Sequence, residues 1–112
     1  MLIYHILQKQ QLEKVKLTGF YEPESLQKEG FIHCSTKEQV LATANRKYLN
    51  QKDLMLLVID TGKVDAKIVT EDTSGRGEKH PHIYGKLSWG AVNEVRKLEM
   101  EKEGFFAKFP TH

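Results

Sequence analysis

Two short segments of the chain carry histidines beside other polar side chains. One contains the sequence Gly-Phe-Ile-His-Cys-Ser, with His33 and Ser35 two positions apart. The other reads Lys-His-Pro-His-Ile-Tyr-Gly, with His82 and Tyr84 at the same spacing. Because alternate side chains of a strand point to one face, each segment can present its polar pair to a common cleft. Histidine binds ligands and exchanges protons near neutral pH, so the pattern predicts a shared ligand-binding site.

Two further residues, His5 and Arg46, can each be interpreted either as part of the site or as structural. His5 lies in an apolar strand, where it is either a core histidine with satisfied hydrogen bonds or part of the cleft. Arg46 lies in the second half of a predicted helix. Its planar guanidinium suits a phosphate or carboxylate clamp, and the alternative is a solvated helix residue.

Other chemistries fit the residues less well. A zinc site needs three or four ligands, and His80 and His82 supply two. The adjacent residues His33 and Cys34 should point to opposite sides of their strand, so they would not join the same metal. Ser35 could complete a Ser–His–carboxylate set, but no serine has the glycine-flanked arrangement of a nucleophile elbow. No Rossmann or P-loop glycine motif occurs either.

The elements that must position these residues are predicted from hydrophobic period and turn signals. Strands are expected at 2–7, 31–35, 66–71, 82–84 and 91–100, and helices at 9–17 and 36–49. The continuous apolar run 53–60 predicts a central strand buried on both faces. Cys34 is expected to be a small buried residue. The polar loop 72–79 is expected to be mobile, and the phenylalanine-rich tail is expected to pack back on the body.

The composition of the chain is that of a soluble globular protein. Its 112 residues favour a single domain, 1–112, and 39% apolar with 29% charged residues is typical of soluble globular proteins. The net charge of +2 comes without a basic stripe, which argues against a dedicated nucleic-acid surface. One cysteine allows no intrachain disulfide. Without a signal peptide or an apolar run near ~20 residues, a cytoplasmic protein without membrane contact is expected.

Five stretches of the chain together resemble a small bacterial family, domain of unknown function family 952. They are Ile-Tyr-His-Ile from residue 3, Tyr-Glu-Pro-Glu-Ser-Leu from 21, Glu-Gly-Phe-Ile-His-Cys-Ser from 29, Leu-Leu-Val-Ile-Asp from 56 and Pro-His-Ile-Tyr-Gly from 81. The match covers roughly the first ninety residues. The family usually has Phe before the last of these strings, where this chain has His80.

That family is similar in fold to the ADP-ribosyltransferase-like superfamily, which includes RNA 2′-phosphotransferases. The resemblance implies an α+β domain with a split or strongly bent, mainly antiparallel sheet and two main helices. It implies a nucleotide substrate, with NAD as the candidate cofactor and a protein or an RNA as acceptor.

Roles follow from the same resemblance. It implies catalytic His33, Glu71 and His82. The cofactor-binding residues that it implies, together with the clamp expected above, are His5, Ser35, Arg46 and Tyr84. The alternative is a non-catalytic module that binds a nucleotide or another small ligand in the same pocket.

Overall fold

A computed structural model describes residues 1–111 and shows an α+β fold. The strands and helices follow one another in this order: β1 (Leu2–Gln8), α1 (Lys9–Thr18), β2 (Phe20–Tyr21), α2 (Glu24–Glu29), β3 (Ile32–His33), α3 (Val40–Lys47), β4 (Leu54–Asp60), β5 (Lys67–Glu71), β6 (His80–Tyr84), β7 (Leu87–Ser88) and β8 (Val92–Leu98). The described strands form three antiparallel sheets rather than one continuous sheet, in the orders β1-β4-β8, β3-β6-β5 and β2-β7.

Strand β4 is the centre of the largest sheet, as its apolar run predicts. It pairs along its full length with β1, with Tyr4 opposite Val58, and on its other side with β8. Its apolar residues are buried, except for the half-buried Met55, because both faces of this sheet are covered. Ile3, Leu7, Leu57 and Ile59 face one core, which includes α1 and the sheet β3-β6-β5.

The opposite face of the same sheet packs on α3 and the C-terminal tail. Tyr4, Ile6, Leu56 and Val58 contribute to this second core, together with Phe106. Phe106 is buried, which confirms that the tail packs back on the body.

The sheets β1-β4-β8 and β3-β6-β5 meet at one short seam. Tyr4 donates its backbone N–H to the carbonyl of Ser35 at 2.9 Å, and Ser35 returns the bond to Tyr4 at 2.7 Å. These two residues form an isolated bridge between β1 and the segment that follows β3. The polar end of β3 therefore lies beside the middle of β1.

Several predicted boundaries differ from the structure. The strand expected at 31–35 is reduced to Ile32–His33, because the chain after His33 turns to the bridge at Ser35. The helix expected at 36–49 is shorter and spans Val40–Lys47. The side chain of Gln39 does accept the backbone N–H of Thr36 at 3.0 Å, but this closes a turn that precedes the helix.

The segment after Pro23 lies outside the two helices expected at 9–17 and 36–49, and it forms an additional helix, α2. Proline suits a helix start because it has no N–H to leave unsatisfied. Gly30 ends the helix by donating its N–H to the carbonyl of Leu26 at 3.0 Å. The described residues thus contain three α-helices, one more than the two main helices predicted, and two single-turn 3-10 helices, Thr61–Lys63 and Trp89–Ala91. No helix in residues 1–111 has the length and apolar character to cross a membrane.

Candidate functional site

Six of the seven predicted site residues line one cleft at the seam between the two three-stranded sheets. They are His5, His33, Ser35, Arg46, Glu71 and His82. The seventh, Tyr84, lies beside the cleft and reaches it through a hydrogen bond to Glu71. The cleft draws its walls from β1, β3, the last turns of α3, the β5–β6 pair and the loop between those strands.

Glu71 is held on the cleft wall by two donors from β6. Glu71 lies opposite His80 in the β5–β6 pair, which places it near His82 and Tyr84 on the same face. His82 donates its Nδ1–H to Glu71 Oε2 at 2.9 Å, and the Tyr84 hydroxyl donates to the same oxygen. The hydrogen bonds from Tyr84 and then His82 lower the pKa of Glu71, so the group is an ionised acceptor at neutral pH.

His33, on the neighbouring strand β3, also has a carboxylate partner. Its Nε2–H donates to the carboxylate of Glu29, at the end of α2. The ring of Phe31 stacks on His82, with ring centroids 4.1 Å apart, and the ring of His33 meets His82 edge-on at 5.4 Å. Each of the two histidines is thus oriented by one carboxylate and by contact with other rings.

His5 uses both of its ring nitrogens inside the protein. Nδ1–H donates to the carbonyl of His33 at 2.5 Å, which leaves Nε2 to accept the hydroxyl proton of Tyr21 at 2.7 Å. Burial lowers the pKa of His5 from 6.5 to about 4, so the ring is neutral at pH 7. The ring borders the cleft and fixes β1 against β3, while neither of its nitrogens is left for a ligand.

Ser35 and Cys34 are buried below the cleft. The Ser35 hydroxyl lies 3.3 Å from the Thr43 hydroxyl of α3. Its hydrogen bond to Thr43, rather than to a histidine, gives no support to a Ser–His–carboxylate set. Cys34 belongs to the first core, as expected of a small buried residue, and burial raises the pKa of its thiol.

Two cations that were not predicted as site residues join Arg46 at the cleft. They are Lys47, the next residue of α3, and Arg76, in the loop between β5 and β6. Desolvation lowers the pKa of Lys47, and the charges of Arg46 and Arg76 lower it further. Lys47 could have been found as the neighbour of Arg46 in the last helical turn, whereas the Gly-Arg-Gly string around Arg76 is too short to be a signal.

The β5–β6 loop is organised by a single carboxylate. Asp72 Oδ1 accepts the backbone N–H groups of Ser74 and Gly75, each at 3.0 Å, and the Ser74 hydroxyl at 2.8 Å. Asp72 Oδ2 accepts the N–H of Gly77 at 2.7 Å. These bonds lower the pKa of Asp72 to about 2. The loop predicted to be mobile therefore has a defined hydrogen-bonded shape.

His80 lies at the end of this loop, on the wall of the cleft. Its buried Nε2 has no hydrogen-bond partner, and it is 3.6 Å from a carboxylate oxygen of Glu78. Burial lowers the pKa of His80. Within residues 1–111, no group of three or more His, Cys, Asp or Glu side chains is arranged to hold a metal ion.

Fold and site together define a small antiparallel α+β domain with one histidine-lined cleft at a seam between sheets. The chain belongs to the family described as protein of unknown function (DUF952), whose model matches residues 6–95. No curated protein matches the chain.

Solved structures of protein CC0527 from Caulobacter crescentus share this fold. A crystal structure is 29% identical, with a TM-score of 0.85, and the alignment covers 96% of this chain and 94% of that one. A solution NMR structure is 30% identical, with a TM-score of 0.82, and the alignment covers 93% and 90% of the two chains. These comparisons establish the family and the fold, and the ADP-ribosyltransferase-like resemblance is not among their findings.

Proposed function

We propose that the cleft binds a phosphate-bearing nucleotide and transfers or processes its ADP-ribosyl or 2′-phosphate group. The observation that carries the proposal is the Glu71 carboxylate, held ionised by His82 and Tyr84 on the wall of a cleft that Arg46 also lines. A fixed carboxylate and a cation in one cleft match a ligand with sugar hydroxyls and a phosphate.

The residues present fit an NAD-type donor. Arg46 would bind a phosphate, since its guanidinium can make paired hydrogen bonds to phosphate oxygens. Glu71 would accept hydrogen bonds from ribose hydroxyls through its second oxygen, Oε1, because Oε2 already takes both donors from β6. An NAD-type donor would supply a glycosidic bond whose cleavage releases nicotinamide with the bonding electrons and leaves positive charge on the ribose ring, where the 2′-phosphate of an RNA end, or water, would form the new bond.

Glu71 would act on that charge. A carboxylate that binds the sugar hydroxyls holds them more strongly as positive charge develops on the ring, as the carboxylates of glycoside hydrolases do. His82 and Tyr84 would keep the carboxylate in place, and His33 would orient the ligand. Loss of one such electrostatic partner typically costs about 10²–10³ in rate.

The test is turnover by the wild-type protein and by Glu71→Gln. Nicotinamide release is measured with NAD alone and with NAD plus a 2′-phosphorylated RNA end. We expect release by the wild type, a reduction of about 10²-fold or more in Glu71→Gln, and no change in Glu13→Gln, whose carboxylate lies on the exposed side of α1. Equal rates in Glu71→Gln and the wild type would show that the catalytic assignment is wrong.

The second candidate is a binding module that holds a nucleotide without turnover. It is favoured by His5, because both of its ring nitrogens are bonded within the protein and are not offered to a ligand. A binding module would show NMR shifts of His33 and His82 when NAD or ADP-ribose is added, while releasing no nicotinamide.

A further inference from the structure

The cations and carboxylates of the cleft differ in their partners. Glu71 accepts from His82 and Tyr84, and Glu78 lies beside His80. The four hydrogen bonds within the β5–β6 loop likewise occupy Asp72. Of the carboxylates that line the cleft, Glu71 and Asp72 are thus engaged by hydrogen-bond donors, and Glu78 lies 3.6 Å from the His80 ring.

The three cations have no such partners. Within residues 1–111, the side chains of Arg46, Lys47 and Arg76 make no hydrogen bond and no ion pair with the protein. The Glu29 carboxylate lies near enough to influence Lys47, but it is bonded to His33. Three like charges in one cleft repel one another, and an anion bound among them would relieve the repulsion.

We propose that Arg46, Lys47 and Arg76 form a subsite for a diphosphate group, and that Asp72 is the positioning residue that places Arg76 in it. Two arginines and a lysine offer many N–H donors, which matches the several oxygens of a diphosphate better than a single carboxylate. The ligand class is a nucleoside diphosphate or a larger diphosphate ester. The inference rests on the proposed function only in taking this cleft as the ligand site.

The position of Arg76 depends on Asp72 because the loop has few other contacts that shape it. Gly75 and Gly77 both have positive φ, 80° and 79°, and their N–H groups point to the Asp72 carboxylate. Arg76 lies between them, so its backbone direction is set by the bonds on either side. A further bond, from Gln39 Nε2 to the carbonyl of Lys79 at 2.6 Å, ties the end of the loop to the segment before α3.

The probe is inorganic pyrophosphate, titrated into the wild-type protein without divalent metal and followed by calorimetry and amide NMR. We expect binding that weakens with added salt, and amide shifts at residues 46–47 and 73–77. Arg76→Ala is expected to weaken binding about tenfold, whereas Lys16→Ala, an exposed lysine on α1, should change it less than twofold. Arg76→Lys should recover part of the loss.

Asp72→Ala tests positioning. It is expected to weaken pyrophosphate binding as much as Arg76→Ala, and the double variant is expected to bind no more weakly than Arg76→Ala alone, because both changes remove the same contact. Gly77→Ala is a second way to disturb the same loop. The φ of 79° at this position is unfavourable for alanine, while no atom lies within 4 Å of the added Cβ. Gly77→Ala should give the same loss even where Asp72→Ala does not fold.

Any of three outcomes would overturn this inference. They are that the wild type does not bind pyrophosphate, that Lys16→Ala weakens pyrophosphate binding as much as Arg76→Ala, or that Asp72→Ala or Gly77→Ala binds it with full affinity. The inference and the proposed function can fail separately. A protein that binds pyrophosphate through these cations and releases no nicotinamide keeps the subsite and loses the transferase proposal. A protein that turns over NAD but does not bind pyrophosphate supports the transferase proposal and rules out the subsite.

Discussion

The buried, neutral state of His5 predicts a specific dependence of stability on pH. Burial lowers its pKa from 6.5 in the unfolded chain to about 4 in the folded protein. Between these values the unfolded state binds a proton that the folded state does not. His5 therefore favours folding fully above pH 6.5, and that contribution is lost as the pH falls towards 4. The difference between the two pKa values corresponds to about 3 kcal/mol.

This magnitude is large for a single side chain. The free energy of unfolding of a small domain is typically about 5–15 kcal/mol, so His5 alone could remove a substantial part of it on acidification. The physical cause is burial: the charge of the protonated ring would lie away from water, and neither of the two groups bonded to the ring, the His33 carbonyl and the Tyr21 hydroxyl, is a carboxylate.

The assay is urea unfolding of the wild type and of His5→Gln at pH 7, 6, 5 and 4. The variant loses buried hydrogen bonds and should be less stable at pH 7 by roughly 1–3 kcal/mol. Because glutamine does not titrate, the free energy of unfolding of the wild type should fall by about 3 kcal/mol more than that of the variant between pH 7 and pH 4. Carboxylates that titrate in both proteins cancel in this difference. A wild-type advantage that stays constant over the whole range would refute the reasoning.

Two further predictions concern close packing and the tail. Gly85→Ala would place a Cβ 2.8 Å from the Cβ of Ala66, and the overlap should lower the free energy of unfolding by about 1–3 kcal/mol, measured by urea titration; a variant of unchanged stability would show that β6 can shift freely. Asn45→Ala removes two bonds to the backbone of Phe106, at 2.8 and 2.7 Å, and should cost roughly 1–3 kcal/mol and speed hydrogen exchange in the tail. The control Asn93→Ala loses only an exposed contact to Lys63, and a similar loss there would contradict this role for Asn45.

The local hydrophobic pattern was sufficient to predict β4, the strand whose two faces are both buried. The run at β4 is apolar at every interior position, so its central place follows from composition alone. Alternation also placed His82 and Tyr84 on one face of β6, where both reach Glu71. The same rule separates His33 from Cys34, which lies in the core on the other side.

Contacts between distant elements could not be predicted in this way. Phe31 has the sequence character of a core residue, and its stacking on His82 depends on the pairing of β3 with β6. The bond from His33 to Glu29 needs α2 to form, and α2 was not among the helices expected from the sequence. Arg76 lies at the cleft because hydrogen bonds to Asp72 shape its loop. A polar, glycine-containing stretch of sequence does not predict such a loop shape.

The position of the cleft follows from how the two three-stranded sheets are joined. Among the described residues, β1 meets the β3 segment through the Tyr4–Ser35 bridge and the His5–His33 bond, so few backbone groups are shared there. A continuous sheet would have covered this edge with paired strands, whereas the seam leaves room for polar side chains from both sheets. His5 is then a structural support of the cleft: its ring holds the carbonyl of His33, the residue whose side chain lines the cleft. Protonation of His5 would keep the Nδ1–H bond to the His33 carbonyl and remove the lone pair of Nε2 that accepts from Tyr21, so acid should disturb the Tyr21 side of the ring first.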